Sequence, residues 1–247
     1  LVLAGPKADQ GVIAEQIALA SALSTNQPGR IGLLAPDDPD RLEEALYGTG
    51  PEALTSDPIL PLGSRREVAR LAATGLAADP DGILPLPQGA PYGAIAIDTD
   101  ACTLCLACVS LCPVGALGDN PDAPQVNFQE SACLHCGICA STCPEPASTL
   151  QPRRQLGKAA LKRRVLHEEE PFACIECGKL FGVKSTIEKI AEKLDGKHWM
   201  FQASDNVRLI QMCDDCRVNA QYHQDNSPFK GAPRPAIRTA DDPGKLN

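Results

Sequence analysis

The chain has 247 residues, with 31 acidic against 23 basic side chains and a formal net charge of −8. Phosphate binding needs a concentrated basic face, so nucleic acid is excluded as the main partner. No apolar stretch reaches the eighteen or more residues that a membrane span requires, no amino-terminal signal segment is visible, and Leu1 already stands inside a predicted strand, as in a piece of a longer polypeptide.

Residues 1–92 contain no cysteine and alternate short apolar runs with amphipathic stretches, a pattern that predicts an α/β domain. Leu1 to Gly5 and Ile31 to Ala35 read as buried parallel strands, Gly11 to Leu23 as a helix and Arg41 to Leu46 as a short second helix. Ser64 and Glu67 form a capping box ahead of Val68, Leu71, Ala72 and Leu76. Ile83 to Leu86 is the last predicted strand, and Pro85, Pro87 and Pro91 predict a linker. The run from Gly5 to Gly11 matches neither glycine-rich phosphate loop, so no nucleotide cradle is expected and the domain's role stays open.

Beyond the linker, eight of the twelve cysteines fall into two copies of C-x2-C-x2-C-x3-C-P: Cys102, Cys105, Cys108 and Cys112 before Pro113, then Cys133, Cys136, Cys139 and Cys143 before Pro144. This is the spacing of a pair of 4Fe–4S clusters. Three closely spaced thiolates wrap one cube, and the fourth is thrown clear to ligate the other. Cys102, Cys105 and Cys108 are therefore expected to share a cluster with Cys143, and Cys133, Cys136 and Cys139 a second with Cys112. Disulfides would require an oxidising compartment and a shorter stapled chain. Thiols used as metal ligands imply a reducing one, here the cytoplasm.

Residues 94–150, with the CPVGAL stretch from Cys112 to Leu117, resemble a bacterial-type two-cluster ferredoxin. The resemblance implies an α+β ferredoxin-like domain over 93–152, with outer strands at Ala94 to Asp98 and Ser148 to Leu150 and an inner hairpin including Gln125 to Phe128. It also implies a short helix after the fourth ligand, which Pro146 is expected to alter in the second copy. Long bacterial proteins that join an α/β region, such a ferredoxin and a cysteine-rich tail resemble electron-carrying partners of oxidoreductases such as molybdenum formate dehydrogenases.

Cys174, Cys177, Cys213 and Cys216 form two C-x2-C pairs in a predicted helical, zinc-ribbon-like module over 153–226, followed by a flexible tail at 227–247. Four sulfurs suit one tetrahedral ion, with Zn(II) favoured and iron the alternative. Between the pairs, Ser185 and Glu188 predict a capped helix through Ile187, Ile190, Ala191 and Leu194, ended by Gly196. A second helix from Ser204 through Met212 is expected to deliver Cys213. His198 and His223 are reserve ligands, and His135 is either a hydrogen-bond donor to the second cluster or an ordinary loop residue. The basic stretch of Arg153, Arg154, Lys158, Lys162, Arg163 and Arg164 reads as a steering surface for an acidic partner or as a solvated helix face.

No convergent nucleophile, base or open metal position is visible, so the chain is expected to be an electron carrier or electron-transfer subunit and not itself an enzyme. The competing expectation is a structural, assembly or redox-sensing protein that docks a partner oxidoreductase.

Overall fold

The computed structural model describes residues 2–3, 9–24, 31–34, 38–50, 58–194 and 207–223. They form two compact units, Leu1–Glu168 and Glu169–Asn247.

The first unit opens with a small β-α-β arrangement. Strand β1 (Val2–Leu3) pairs in parallel with β2 (Leu33–Leu34), and α1 (Gln10–Leu23) connects them. The Asp9 carboxylate caps α1 by accepting from the Gly11 and Val12 N–H groups, and Asp38 does the same for Arg41 in α2 (Pro39–Tyr47). Helix α3 (Arg65–Leu76) starts on the expected capping box, with Glu67 N–H donating to Ser64 Oγ and Ser64 N–H donating to the Glu67 carboxylate.

From here the chain departs from a linker. Strand β3 (Ile83–Pro85) does not close an amino-terminal sheet; it pairs antiparallel with β7 (Ser148–Gln155). The other edge of β7 takes β4 (Gly93–Ile97), with Ala94 opposite Gln151 and Ile97 opposite Ser148. Leu86 N–H donates to the Pro152 carbonyl, Leu156 N–H to the Gly82 carbonyl, and Ala73 of α3 packs on Leu84 and Leu156. The proline-rich stretch is thereby docked, with Leu86 and Ala90 buried. A second three-stranded antiparallel sheet has the order β5 (Leu117–Asn120), β6 (Ala123–Phe128), β8 (Arg164–Glu168). Strand pairing thus crosses both boundaries expected at residues 92 and 152. Buried apolar side chains in and beside these sheets are Ala94, Ile95, Ala116, Leu117, Val126, Phe128 and Ala147.

The basic stretch is not one helix, and its cations differ in exposure: Arg154 is buried and Arg153 half-buried, whereas Lys158, Lys162, Arg163 and Arg164 are exposed. Arg153 and Arg154 lie in β7 and Arg164 begins β8, with a 3-10 turn at Lys158–Leu161 between them. Arg163 donates to Asn127 Oδ1 and the Gly115 carbonyl, and Arg164 lies over the Phe128 ring. Arg153 donates to the nearly buried Glu130 carboxylate at 2.8 Å, and that carboxylate also accepts the Gln155 N–H at 3.1 Å.

In the second unit, β9 (Pro171–Ala173) and β10 (Leu180–Val183) form an antiparallel hairpin, braced by an edge-on contact of Phe172 with Phe181. The pairing shifts at Gly182, whose φ of +55° suits glycine and where a Cβ would lie 2.9 Å from Ile187 Cδ1. Helix α6 (Lys184–Leu194) follows the strand directly, so Ser185 stands inside its first turn instead of capping it; Lys184 N–H is satisfied by the Glu170 carbonyl. Ile187 and Ala191 are its buried residues. Gly196, Ser204, His198 and the tail at 227–247 lie outside the described residues. The last elements are a 3-10 turn at Leu209–Gln211 and α7 (Asp214–His223).

Replacing Glu130 with alanine leaves Arg153 facing a lost partner and the Gln155 N–H unpaired. We expect Glu130→Ala to destabilise the first unit by about 2–3 kcal/mol, read from denaturant unfolding midpoints, and Gln155→Ala, which keeps the backbone N–H, to cost much less.

Candidate metal centres

The two cysteine motifs are built as copies. In each loop the residues flanking the second cysteine take a left-handed backbone: Leu104 (φ 51°) and Leu106 (φ 59°) around Cys105, His135 (φ 55°) and Gly137 (φ 81°) around Cys136. Alternating handedness turns successive N–H groups toward one point and makes an anion-binding concavity. Three of the four residues are not glycine, so each holds a conformation costing roughly 1–2 kcal/mol. A single-turn helix follows each loop, α4 (Ala107–Ser110) and α5 (Ile138–Ser141), and each contains the third cysteine of its motif, Cys108 or Cys139. The fourth cysteines, Cys112 and Cys143, sit at matching positions just beyond these helices, and neither is followed by a helix: the chain runs into β5 and β7 instead. The effect expected of Pro146 therefore has no helix to act on.

Cys112 does not stay with its own motif. It lines one cavity together with Cys133, Cys136 and Cys139, among the apolar side chains of Ile95, Leu117, Ile138 and Leu150. Burial pushes the Cys112 thiol up, but the N–H groups of Leu117, Val114, Ala116 and Gly115 converge on it and bring its pKa below the ordinary thiol value. Gly115, at φ +61°, makes the turn that aims them. The opposite holds for the thiols packed among other sulfurs. Burial, then the charges of Cys102, Cys105 and Cys139, push Cys108 up to about 11. Cys133 and Cys139 are also raised, first by burial, with Cys112 among the neighbouring charges in both cases. Cys143 is half-buried, and Cys105 and Cys136 are exposed.

His135 contributes through its backbone and its shape. Its N–H donates to Cys133 Sγ at 3.3 Å, while ring Nδ1 lies 2.9 Å from the Ala90 carbonyl, which can only accept, so Nδ1 carries the proton. The ring packs on the backbone of Gly93, where any Cβ would collide with it.

In the second unit, Cys174, Cys177, Cys213 and Cys216 place their sulfurs within 4.8 Å of one another. Four sulfurs around one ion with Zn–S bonds near 2.3 Å stand about 3.8 Å apart, and Cys177 and Cys213 are separated by 3.6 Å. The first pair is a tight turn at the end of the hairpin: Cys174 N–H donates to the Lys179 carbonyl, Gly178 N–H to the Cys174 carbonyl, and Gly178 adopts φ +73°. Ahead of the second pair, Val207 and Arg208 are helical and run into the 3-10 turn at Leu209–Gln211, while the start of the helix expected from Ser204 lies outside the described residues. Cys213 follows the 3-10 turn, and Cys216 lies within the first turn of α7. Cys174, Met212 and Cys213 form a buried core with Phe181, Leu209 and Ala220 against it. Burial opposes the Cys174 thiolate, yet N–H groups of Cys177, Cys213 and Glu176 directed at its sulfur bring its pKa down to about 6. Cys216 is pushed up, first by hydrogen bonds with the Cys177 and Cys213 sulfurs. The four sulfurs group without recourse to a histidine.

Sequence comparison agrees with the first centre. The 4Fe-4S dicluster domain family matches residues 94–144, so the chain contains a domain of iron–sulfur type. No curated protein matches the chain. Among the described residues no helix is long and apolar enough to cross a membrane.

A metal at the four-sulfur site requires thiolates, so protons compete with it. We expect affinity to fall as pH drops, most steeply below about 6, where Cys174 also regains its proton. Competition with a chromogenic chelator at pH 7.5 and 5.5 reads this as a loss of more than about tenfold.

Proposed function

We propose that the chain is an electron-transfer protein, or the electron-transfer subunit of an oxidoreductase system, holding two 4Fe–4S clusters. The observation that carries this reading is the cavity that gathers Cys112 with Cys133, Cys136 and Cys139, four sulfurs drawn from both motifs. Cys102, Cys105 and Cys108, completed by Cys143, are the matching set by the internal repeat. Such clusters supply one-electron chemistry; the chain supplies their ligands, their enclosure and their electrostatics. The N–H groups around Cys112 favour the added negative charge of a reduced centre, which raises its potential. Exposed Leu111, Val114, Leu134 and Ile138, each within two residues of a cluster cysteine, offer a partner an apolar rim. The partner is a redox enzyme, with a formate dehydrogenase-like oxidoreductase as the specific proposal, in a reducing compartment such as the cytoplasm.

Cys174, Cys177, Cys213 and Cys216 are proposed to hold a structural Zn(II). The spacing of their sulfurs fits one ion, and four protein ligands leave no open position for substrate. In this division of labour, the first unit, Leu1–Glu168, carries the clusters together with the amino-terminal α/β region, and the second, from Glu169, carries the zinc module.

Anaerobic purification with iron and zinc analysis tests the reading, with about eight irons and one zinc per chain expected. Electron paramagnetic resonance of reduced Cys112→Ser should resemble that of Cys136→Ser and differ from that of Cys105→Ser. About twelve irons without zinc would make the last four cysteines a third redox centre. A Cys112→Ser spectrum matching Cys105→Ser would sink the crossed ligation, and clusters that cannot be reversibly reduced would favour an assembly or sensing role.

A further inference from the structure

Apart from the cysteine groups, the first unit contains a cavity of about 350 Å³ between α3, the 3-10 turn at Glu130–Ala132 and β7. Its lining includes four arginines, Arg66, Arg70, Arg153 and Arg154, against two carboxylates, Glu67 and Glu130. Both carboxylates are already engaged: Glu67 closes the capping box on Ser64 N–H, and Glu130 holds Arg153 and the Gln155 N–H. Arg66 and Arg154 face no carboxylate in an ion pair among the described residues, while Arg70 acts on the Glu67 carboxylate without closing an ion pair with it.

Arg154 is the anomaly. It is only 5% exposed, and its Nε and Nη1 have no hydrogen-bond partner among the described residues. Its guanidinium lies 3.9 Å from the centre of the Tyr92 ring, and the Arg66 guanidinium lies 4.4 Å from the same ring. A ring face compensates a buried cation only in part, and two cations on one ring repel each other. Arg66 is anchored by donating to the carbonyls of Ser131, Pro91 and Cys133, which leaves Arg154 as the donor with unused capacity in a lining that carries excess positive charge. A guanidinium fork matches the paired oxygens of a carboxylate or phosphate, and the volume falls within the range of small-molecule pockets.

We propose that this cavity is a binding site for a small oxyanion-bearing metabolite, whose carboxylate or phosphate group is taken by Arg154, with Arg70 supporting it. Arg66 and Tyr92 build the wall. Because Arg66 also holds the Cys133 carbonyl, the site touches the backbone of the second cysteine loop.

The test uses the cofactor-loaded chain in buffers of equal ionic strength containing chloride, inorganic phosphate or succinate. A ligand that binds only the folded state raises the melting temperature, so phosphate, succinate or both should raise it above the chloride value, and calorimetric titration should give the dissociation constant. Arg154→Met keeps an apolar stem about as long as the arginine's reach to Nε and removes the unpaired charge. It is expected to melt no lower than the parent in chloride and to bind the anion at least tenfold more weakly. Should Arg154→Met fail to fold, Arg70→Gln carries the same comparison and should also weaken binding. A response to phosphate alone identifies a phosphate-bearing ligand, and one to succinate alone a carboxylate-bearing one. Equal melting in all three buffers overturns the proposal, as does anion binding that survives in Arg154→Met or, where that variant does not fold, in Arg70→Gln.

Discussion

Burial and mutual repulsion both oppose ionisation of the crowded thiols, pushing Cys108 up to about 11 and raising Cys133 and Cys139. Ligation needs the thiolate, so the loops hold their sulfurs in the state least suited to water and best suited to a cationic centre. Much of the local structure is subordinate to that crowding. Leu104, Leu106 and His135 accept left-handed backbones that their side chains disfavour, a strain that persists where the surroundings over-determine the conformation. Filling the loops and folding them are then one process.

The four-sulfur site of the second unit meets the same difficulty with more help from the backbone. Cys174 is brought down to about 6 by N–H groups from both cysteine pairs, so one ligand is largely ionised near neutral pH before any ion arrives. Cys112 shows a similar device in the first unit, where four consecutive N–H groups after Pro113 face its sulfur. In both places a turn with a left-handed glycine, Gly178 or Gly115, shapes the backbone near the sulfur. Side-chain charge plays little part in either.

Cysteine spacing made the grouping at Cys174 and Cys216 legible, and capping chemistry made α3 legible, because both depend on residues a few positions apart. The additions of β3 to β7 and of β8 to β6 were not, since pairing between distant segments leaves no local periodic mark. Read as sequence, Arg153, Arg154, Arg163 and Arg164 are a charge run. Only the fold shows that they are tied to Glu130, Tyr92, Asn127 and Phe128. The positive φ of Leu104 and Leu106 was equally hidden, because nothing in a leucine announces it, whereas Gly137 at the equivalent place in the second loop is the residue that gives the pattern away. Ser185 misled for a related reason: the capping box is a local signal, and the strand running directly into α6 overrode it.

Strand β7 leaves the second motif and, within Ser148–Gln155, pairs with β4 on one edge and β3 on the other. On the ribosome both partners are made well before it. Their edges wait unpaired while all eight cysteines of the two motifs emerge, and the sheet can zip shut only when residue 155 has cleared the tunnel. Order of synthesis therefore gives the loops a period of open access before the strand that seals them arrives, and a pause in translation just beyond the second motif would lengthen it.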